Sequence, residues 1–356
     1  MEKRPFFSVI VPFHNAEKYL EHAVCSILGQ TFSDFEVIVV DDASTDRSRE
    51  EALKLAASDD RVHVVFLEKN VGAGEARNVG IRRARGEYIM FLDADDAFSG
   101  ELLAKVRQSL EEHPAQVVLW GLVEEYRDAS QTLVQEVTVT YPAMICGTRE
   151  EVRAQIMDLE EKSLYGYLWN KAYQTDYLKS LGILIPTQAF NEDEMFNIGF
   201  FMEVSEMNVL DYVGTHYSKR VEGSLTNRYL PDYYPIAMGR VWGLLDQQIH
   251  WGTDTAEVRE KLAGIWVRYL ASALERNCDR RRSMGIKEKR EFVGHVMESW
   301  LYRELLPFAK PQHPAFKLLV AGLKSGNKEQ CLAVGKMIHT AKSAMPGKFR
   351  KARAKK

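Results

Sequence analysis

The chain has 356 residues, 46% of them apolar and 27% charged, a composition that fits a soluble globular protein of one or two domains. The net charge of −3 gives no support to a nucleic-acid partner. No apolar run approaches the ~20 residues of a membrane span, and the N-terminus lacks the apolar segment of a signal peptide, so we expect a cytoplasmic protein. The widely separated cysteines are expected to be free thiols: Cys25, Cys146, Cys278 and Cys331.

The first hundred residues alternate strand and helix signals. Apolar strands are predicted at FSVIVPFHN, FEVIVVDD, RVHVVFLE and EYIMFLDAD, and helices at AEKYLEHAVCSILGQ, STDRSREEALKLAAS and AGEARNVGIRRAR. Ser44 or Thr45 is expected to cap the second helix. Strands that are apolar throughout are typical of a parallel sheet covered on both faces, so we predict an α/β fold with a mostly parallel, Rossmann-like sheet.

The later pattern differs. A helix is predicted over residues 101–112 and a strand at AQVVLWGLVEEY, and after Ser224 the signal is mostly helical. VREKLAGIWVRYLASALERN has one apolar stripe at helical spacing, and EFVGHVMESWLYRELL behaves similarly. We therefore predict an α/β domain over 1–224, a helical region over 225–340 and a basic tail over 341–356.

Acidic clusters follow two of the predicted strands. Asp41 and Asp42 end the second strand, and Asp93, Asp95 and Asp96 follow the fourth. Ligands of parallel α/β sheets bind beyond the carboxyl ends of the strands, so both clusters are placed where a site is expected. Like charges that are partly desolvated repel one another unless a cation or hydrogen-bond donor compensates. Taken alone, each cluster could also be an acidic loop or a helix cap.

The chemistry of these carboxylates suggests two partners. Mg²⁺ and Mn²⁺ prefer oxygen ligands and usually take one or two from protein carboxylates and the rest from phosphate and water. A carboxylate can also accept a hydrogen bond from N3–H of uracil, which cytosine lacks. A pocket with Asp42 for the base and Asp95 for a metal-bound diphosphate would hold a uridine diphosphate compound.

Several segments together resemble a known family. SVIVPFHNAEKYLEHAVCSILGQTFSDFEVIVVDDASTDRS, NVGAGEARNVGIRRARGEYIMFLDADD, WNKAY and NEDEMF are similar to family 2 glycosyltransferases over roughly residues 6–220. The resemblance implies the GT-A fold and an inverting transfer from a nucleotide-sugar. The helical remainder carries no motif of this family.

The resemblance also implies roles for the donor side of the site. Pro12, Phe13 and Asn15 would border the nucleoside, Asp42 would face uracil, and Arg77 would lie near the nucleotide. Many family members have Tyr at the position of Phe13.

The same resemblance implies roles for the metal and the base. Asp93 would approach the ribose or the metal, Asp95 would be the principal ligand of Mn²⁺ or Mg²⁺, and Asp193 would be the general base, with Glu192 as its rival. A single in-line displacement needs one carboxylate to take the proton of the acceptor hydroxyl and one cation to neutralise the departing diphosphate. A solvated helix start is the alternative for the acids around Asp193.

The remaining candidates concern the diphosphate and the acceptor. Arg220 and His216 could close on the diphosphate, or could lie on the surface. Trp169 and Lys171 of WNKAY, together with Glu192, could contact the acceptor sugar, although a buried Trp is an equal alternative.

The predicted function is metal-dependent transfer from a UDP-sugar to a saccharide or lipid-linked acceptor of a growing polysaccharide or glycolipid. A sugar nucleotidyltransferase would need a glycine-rich, Arg-containing loop after the first strand, which VPFHNAEKY lacks. A dinucleotide fingerprint would need glycine where Arg77 stands. An inactive nucleotide-sugar-binding protein is a third alternative, although Asp95 and Asp193 are both retained. No acidic residue follows Glu329, and the basic tail could contact anionic lipid.

Overall fold

The computed structural model of the chain describes residues 4–128, 130–187, 191–220, 233–279 and 284–344. Contacts divide the chain into two compact units, residues 1–228 and 229–356, whereas the boundary from the sequence lay between 224 and 225. All four cysteines are free, two of them buried and one exposed. Within the described ranges, no helix has the length and apolar character that crossing a membrane requires.

The first unit is an α/β structure around one large sheet. The strands that it describes are β1 (Phe7–Phe13), β2 (Phe35–Asp41), β3 (Val62–Phe66), β4 (Tyr88–Phe91), β5 (Ala97–Phe98), β6 (Val117–Arg127), β7 (Leu133–Val139), β8 (Met144–Cys146), β9 (Lys171–Gln174) and β10 (Met207–Arg220). The helices are α1 (Leu20–Leu28), α2 (Ser48–Ser58), α3 (Ala73–Arg83), α4 (Leu102–Glu112), α5 (Arg149–Glu161), α6 (Thr175–Ser180) and α7 (Glu192–Phe201).

The sheet is mixed rather than mostly parallel. Its order is β3-β2-β1-β4-β9-β6-β10-β5, with β7 paired to β6 and β8 to β10. The strands β1 to β4 are parallel, as predicted, and β6 and β10 are parallel to each other. The other pairs are antiparallel, including those that β9 makes with β4 and β6. Parallel neighbours need a crossover connection, which the helices α1 to α3 supply between the successive strands β1 to β4, whereas β6 and β7 follow one another directly and pair antiparallel.

Helices cover both faces of β1, as the apolar strand sequences predicted. Phe7, Val9 and Val11 lie in one buried cluster with the apolar residues of α1. On the other face, Ile10 meets α3 at Gly80, where an added Cβ would lie 2.4 Å from Ile10 Cγ2. Because β1 is central and covered on both faces, its carboxyl end is held rigidly between those of β2 and β4.

The start of α2 differs from the prediction. The helix begins at Ser48, its N-cap residue Arg47 makes no side-chain capping bond, and Asp46 Oδ1 accepts the Ser48 N–H at 3.0 Å. Ser44 Oγ instead accepts a hydrogen bond from the Asn15 N–H at 2.9 Å, and the Thr45 N–H donates to Asn15 Oδ1 at 2.8 Å. Asn15 has a left-handed backbone, with φ of 52°, which turns its side chain and its N–H toward the β2–α2 connection. The two hydroxyl residues therefore join two loops and do not cap a helix.

The second unit is helical, in agreement with the sequence pattern. Its described helices are α8 (Tyr233–Trp251), α9 (Ala256–Arg276), α10 (Ile286–Glu298), α11 (Trp300–Leu305), α12 (Pro314–Lys324) and α13 (Lys328–Ala344), and a single 3₁₀ turn spans Leu306–Phe308. The predicted stripe of α9 is buried at Leu262, Ile265, Trp266, Leu270, Ala273 and Leu274.

Two boundaries in this unit were predicted wrongly. EFVGHVMESWLYRELL is interrupted at Ser299, which is extended, with ψ of 156°, and whose side chain accepts a hydrogen bond from the Tyr302 N–H to start α11. A serine favours this capping geometry over continuation of the helix. Residues 341–344, assigned to the tail, belong to α13, and the rest of the tail lies outside the described residues.

The close contact between Gly80 and Ile10 predicts that a methyl group added at residue 80 lowers the stability of the first unit. We expect Gly80→Ala to destabilise the first unit by about 1–3 kcal/mol, because the new Cβ overpacks against a fully buried β-branched side chain. Hydrogen exchange of the β1 amides under increasing urea would measure the change. Gly199→Ala in α7 is the matched control, since its Cβ would lie 3.7 Å from Ile183 Cδ1 and should stabilise by up to about 1 kcal/mol. Equal effects of the two substitutions would contradict the packing argument.

Candidate active site

The two acidic clusters lie at one edge of the sheet. β2 and β4 flank β1 in parallel, Asp42 directly follows β2, and Asp93 follows β4 by two residues. The Asp42 N–H donates to the Phe13 carbonyl at 2.8 Å, so the second strand remains tied to β1 up to that residue. The topology thus brings both clusters to the carboxyl end of the same three strands, where ligands of such sheets bind.

Asp42 is compensated by backbone N–H groups. Its two carboxylate oxygens accept hydrogen bonds from the N–H groups of Val71 and Gly72, at 2.7 and 2.9 Å, and the residue is 4% exposed. Gly72 has φ of 88° and directly precedes α3, a conformation that favours glycine. Asp42 therefore holds the β3–α3 connection, and each of its oxygens keeps a second lone pair for another donor.

The three residues predicted to border a nucleoside differ in how they lie. Pro12 and Phe13 are buried at the end of β1, and the Phe13 ring belongs to the apolar cluster on the α1 face. Only the Phe13 backbone, therefore, lies at the sheet edge. Asn15 is exposed, but its side-chain oxygen already accepts the Thr45 N–H, so it orders the rim of this edge.

Arg77 is the cation that the acidic clusters lacked. Its guanidinium, on α3, donates through Nη2 to Asp93 Oδ1 at 2.5 Å. Its Nη1 lies 3.5 Å from Asp193 Oδ1 and 3.9 Å from Glu192 Oε1. Arg77 is 4% exposed, and although burial lowers its pKa, the three carboxylates raise it above the ordinary value. One buried charge thus joins the acid that follows β4 to the acids that begin α7.

Asp193 has the electrostatics of a proton acceptor. Burial raises its pKa to about 7, Glu192 and Asp93 add to the rise, and Arg77 opposes it. The nearby Leu168 N–H also lowers the pKa of Asp193. Burial likewise raises the pKa of Glu192. The acids at the start of α7 are therefore partly enclosed around Arg77 and do not form a solvated helix start.

Residues 93–96 form a tight turn, which we call the acidic turn. The Asp96 N–H donates to the Asp93 carbonyl at 3.0 Å, which places Asp95 at its tip, partly exposed. Asp96 is buried, and its Oδ1 accepts the Ser218 N–H of β10 at 2.8 Å. Asp96 therefore anchors the turn to the sheet, while Asp93 and Asp95 remain toward the edge.

An aromatic cluster lies beside the acidic turn. The rings of Tyr167 and Trp169 stack with centroids 4.4 Å apart, and Trp169 and Tyr217 are 4.9 Å apart. Tyr217 directly precedes Ser218, whose N–H binds Asp96 of the turn. Burial raises the pKa of Tyr217, and Tyr167 and the charges of Asp96, Asp93 and Asp95 raise it further. Tyr167 and Tyr217 were not predicted as residues of this cluster; the only sequence signal for Tyr217 was its position next to His216.

Burial decides between the alternatives for WNKAY. Trp169 is 2% exposed and stacks between two tyrosines, so the buried alternative describes it and its ring offers no surface to a sugar. Lys171 is 0% exposed, and its Nζ donates to the carbonyls of Leu164 and Tyr167 and to Asn170 Oδ1. Both residues are therefore interior, which is a correction of the acceptor role predicted for them.

The two candidates for diphosphate binding lie on β10. His216 is within the strand, and its Nδ1 is 2.8 Å from Glu125 Oε1 of β6. Arg220 ends β10, and its side chain lies outside the description, as do residues 221–232, which follow it. His216 is thus paired across the sheet with a carboxylate.

The residues of the acidic turn fit a divalent cation only together with a ligand. In the part of the chain that the structure describes, no group of three or more His, Cys, Asp or Glu side chains could hold a metal alone. Mg²⁺ and Mn²⁺ need only one or two protein carboxylates when a diphosphate supplies further oxygens. Asp93 and Asp95 offer such a pair of hard oxygen donors on one turn, and both are only partly buried.

Comparisons with known proteins identify related sequences. The family profile described as "Glycosyl transferase family 2" matches residues 8–190. The "Uncharacterized glycosyltransferase EpsJ" of Bacillus subtilis (strain 168) is 31% identical over 208 residues, which are 58% of this chain and 59% of EpsJ. The "Poly(ribitol-phosphate) beta-N-acetylglucosaminyltransferase TarS" of Staphylococcus aureus (strain MW2) is 30% identical over 238 residues, or 65% of this chain and 39% of TarS. The chain thus spans only part of each curated relative.

A solved structure shows the same fold. The crystal structure of S. aureus TarS 1–349 in complex with UDP-GlcNAc superimposes with a TM-score of 0.65 at 22% identity, covering 94% of this chain and 92% of that chain. This likeness confirms the predicted GT-A fold with its helical C-terminal part. With the profile covering more than half of the sequence, the chain belongs to glycosyl transferase family 2.

Proposed function

We propose that the protein is an inverting glycosyltransferase that moves a sugar from a UDP-sugar to a hydroxyl of a saccharide or lipid-linked acceptor. The observation that carries this proposal is the Arg77 junction, in which one buried guanidinium contacts both Asp93 of the acidic turn and Asp193 of α7. A group bound at the acidic turn is then next to a carboxylate suited to accept a proton. Membership of glycosyl transferase family 2 supports the same chemistry.

A uridine donor is supported by Asp42 and by a relative. Each oxygen of Asp42 accepts one backbone N–H and has a lone pair left for N3–H of uracil. TarS, whose sequence is 30% identical over the matched region, has been crystallised with UDP-GlcNAc. Pro12 and the Phe13 backbone would then border the nucleoside, and Arg220 would reach the diphosphate.

Asp193 is proposed as the general base. The acceptor hydroxyl must lose its proton as its oxygen attacks the anomeric carbon, and a carboxylate within hydrogen-bond reach can take it. A pKa near 7 makes Asp193 a stronger base than an ordinary aspartate while leaving it largely ionised slightly above neutral pH. Glu192 is proposed to lie on the acceptor side, since it shares Arg77 and is partly exposed.

A divalent cation, Mn²⁺ or Mg²⁺, would be held by Asp95 with Asp93. When bound, it neutralises the charge that the diphosphate gains as the bond to the sugar breaks. Arg77 meanwhile orients Asp93, because its guanidinium donates a hydrogen bond to Oδ1 of that residue. We further propose that the enzyme acts in the cytoplasm, at the inner face of the membrane, on a polysaccharide or glycolipid acceptor.

Donor binding is tested by thermal shift. We expect UDP with Mn²⁺ at about a hundred times Kd to stabilise the protein by about 2.7 kcal/mol and to raise Tm by several degrees. Asp95→Ala should abolish the Mn²⁺-dependent part of this rise. Asp60→Ala removes an exposed carboxylate before β3, at the opposite edge of the sheet, and should behave as wild type. If no nucleotide raises Tm, the donor assignment is wrong.

The base is tested by Asp193→Asn. We expect this variant to keep the UDP-dependent rise in Tm and to lose about 10²–10⁴-fold or more in transfer rate, because an amide cannot accept the proton. In the wild type, transfer should fall as the pH drops below about 7, since protonated Asp193 cannot act.

Glu192→Gln is the matched control, which should raise acceptor KM without abolishing transfer. Full turnover by Asp193→Asn would move the base to Glu192 or to another group. A rate that stays level from pH 8 to pH 5.5 would also contradict the assignment of Asp193.

The basic tail is proposed to contact anionic lipid. Lys348, Arg350, Lys351, Arg353, Lys355 and Lys356 would each contribute about 1 kcal/mol near an anionic surface at low salt. We expect deletion of residues 345–356 to reduce sedimentation with phosphatidylserine vesicles, while neutral vesicles bind neither form. Equal binding by the full and shortened chains would exclude this role.

A further inference from the structure

We propose that Lys171 and Asn197 are positioning residues for the transfer reaction, because together they hold the backbone segment that faces Asp193. This inference rests on the proposed function, in which Asp193 accepts the proton. The segment is residues 164–168, which precede β9 and include the N–H of Leu168. Neither Lys171 nor Asn197 touches the reacting groups directly.

The carbonyl groups of this segment point at buried donors. Lys171 Nζ donates to the Leu164 carbonyl at 2.9 Å and to the Tyr167 carbonyl at 2.5 Å. Asn197 Nδ2 donates to the carbonyls of Gly166 at 2.9 Å and Tyr167 at 3.2 Å. Both side chains are completely buried. Because carbonyls on one side of a short segment are fixed, the direction of the next N–H is fixed too.

That next N–H is the one that acts on Asp193. Leu168 follows Tyr167 directly, and its N–H, near the Asp193 carboxylate, lowers the pKa of Asp193. Asn197 is on α7 four residues after Asp193, so one helix carries both the proposed base and a residue that holds its partner segment. The Asn197 amide is itself oriented, since its Oδ1 accepts the Tyr173 hydroxyl at 2.8 Å. The assembly therefore fixes the peptide group that faces the Asp193 side chain.

Lys171 also contributes charge. Its Nζ has three hydrogen-bond partners, and all three are acceptor oxygens; the third is Asn170 Oδ1 at 2.9 Å. An ammonium group has three N–H donors, one for each acceptor, so this geometry favours the charged form of Lys171. Burial lowers the pKa of Lys171 to about 7, and the carboxylates of Asp193, Glu194 and Glu160 oppose that fall.

The charges around Asp193 are thus two cations and two acids. Arg77 and Lys171 favour its ionised form, and Glu192 and Asp93 oppose it. A residue that only stabilised the fold would change neither the pH dependence of transfer nor kcat at equal donor affinity. A positioning residue changes at least one of these.

The test compares Lys171→Met with Lys179→Met in the full chain. Lys179 also donates its ammonium to a carbonyl, that of Ala84, but beyond the far end of α3. We expect Lys171→Met to lower kcat about 10²-fold, as for a base displaced by about 1 Å, and to leave Kd for UDP unchanged. The acidic limb of its pH profile should move to higher pH, because Asp193 loses a nearby positive charge. Lys179→Met should change neither quantity.

Asn197→Ser separates position from charge and serves if Lys171→Met does not fold. It should lower kcat with an unshifted acidic limb, since it frees the Gly166 carbonyl and leaves the ammonium in place. The inference would be overturned if Lys171→Met kept the wild-type kcat and pH profile. If Lys171→Met does not fold, a wild-type kcat in Asn197→Ser would overturn it. Neither result would affect the proposed function. A wild-type chain that binds UDP but transfers no sugar would instead remove the proposed function on which the inference rests.

Discussion

The Arg77 guanidinium is almost completely buried and lies within ion-pair distance of Asp93, Asp193 and Glu192. Taking such a group from water is costly, and it is tolerated only where carboxylates and hydrogen bonds compensate. The dependence is mutual, because three acids gathered at a sheet edge would repel one another without that cation. Loss of one partner from a buried pair typically costs about 3–5 kcal/mol. The arrangement of the site is therefore coupled to the packing of α3 and α7 against the sheet.

Much of this arrangement follows from the sequence. Four apolar strands separated by helices specify β1 to β4, and the carboxyl ends of parallel neighbours meet at one edge, so Asp42 and Asp93 had to lie near each other. Local pattern could not show what compensates each acid. Asp42 is held by the N–H groups of Val71 and Gly72. Because nearly every residue has a backbone N–H, the sequence does not reveal which of them bind a carboxylate. Arg77 contacts Asp193 across 116 positions of sequence, a separation that no periodicity reports.

The wrong predictions share a physical cause. Trp169 and Lys171 were candidates for contact with the acceptor, with a buried Trp as an equal alternative, and both are interior. Lysine is rarely buried, and here three oxygen acceptors make burial possible. The mixed sheet has a similar origin. β9 is short, and its position between β4 and β6 is set by contacts distant in sequence and not by its own residues.

The connection that Asp42 holds has a consequence for the whole edge. α3 starts at Ala73, immediately after the two amides bound to that carboxylate, and Arg77 follows about one turn later. A nucleobase bound by Asp42, as proposed, would therefore contact the carboxylate that fixes the start of the helix carrying Arg77. The proposed base recognition and proton transfer would then depend on the same short segment, and substitutions at residue 71 or 72 would affect both.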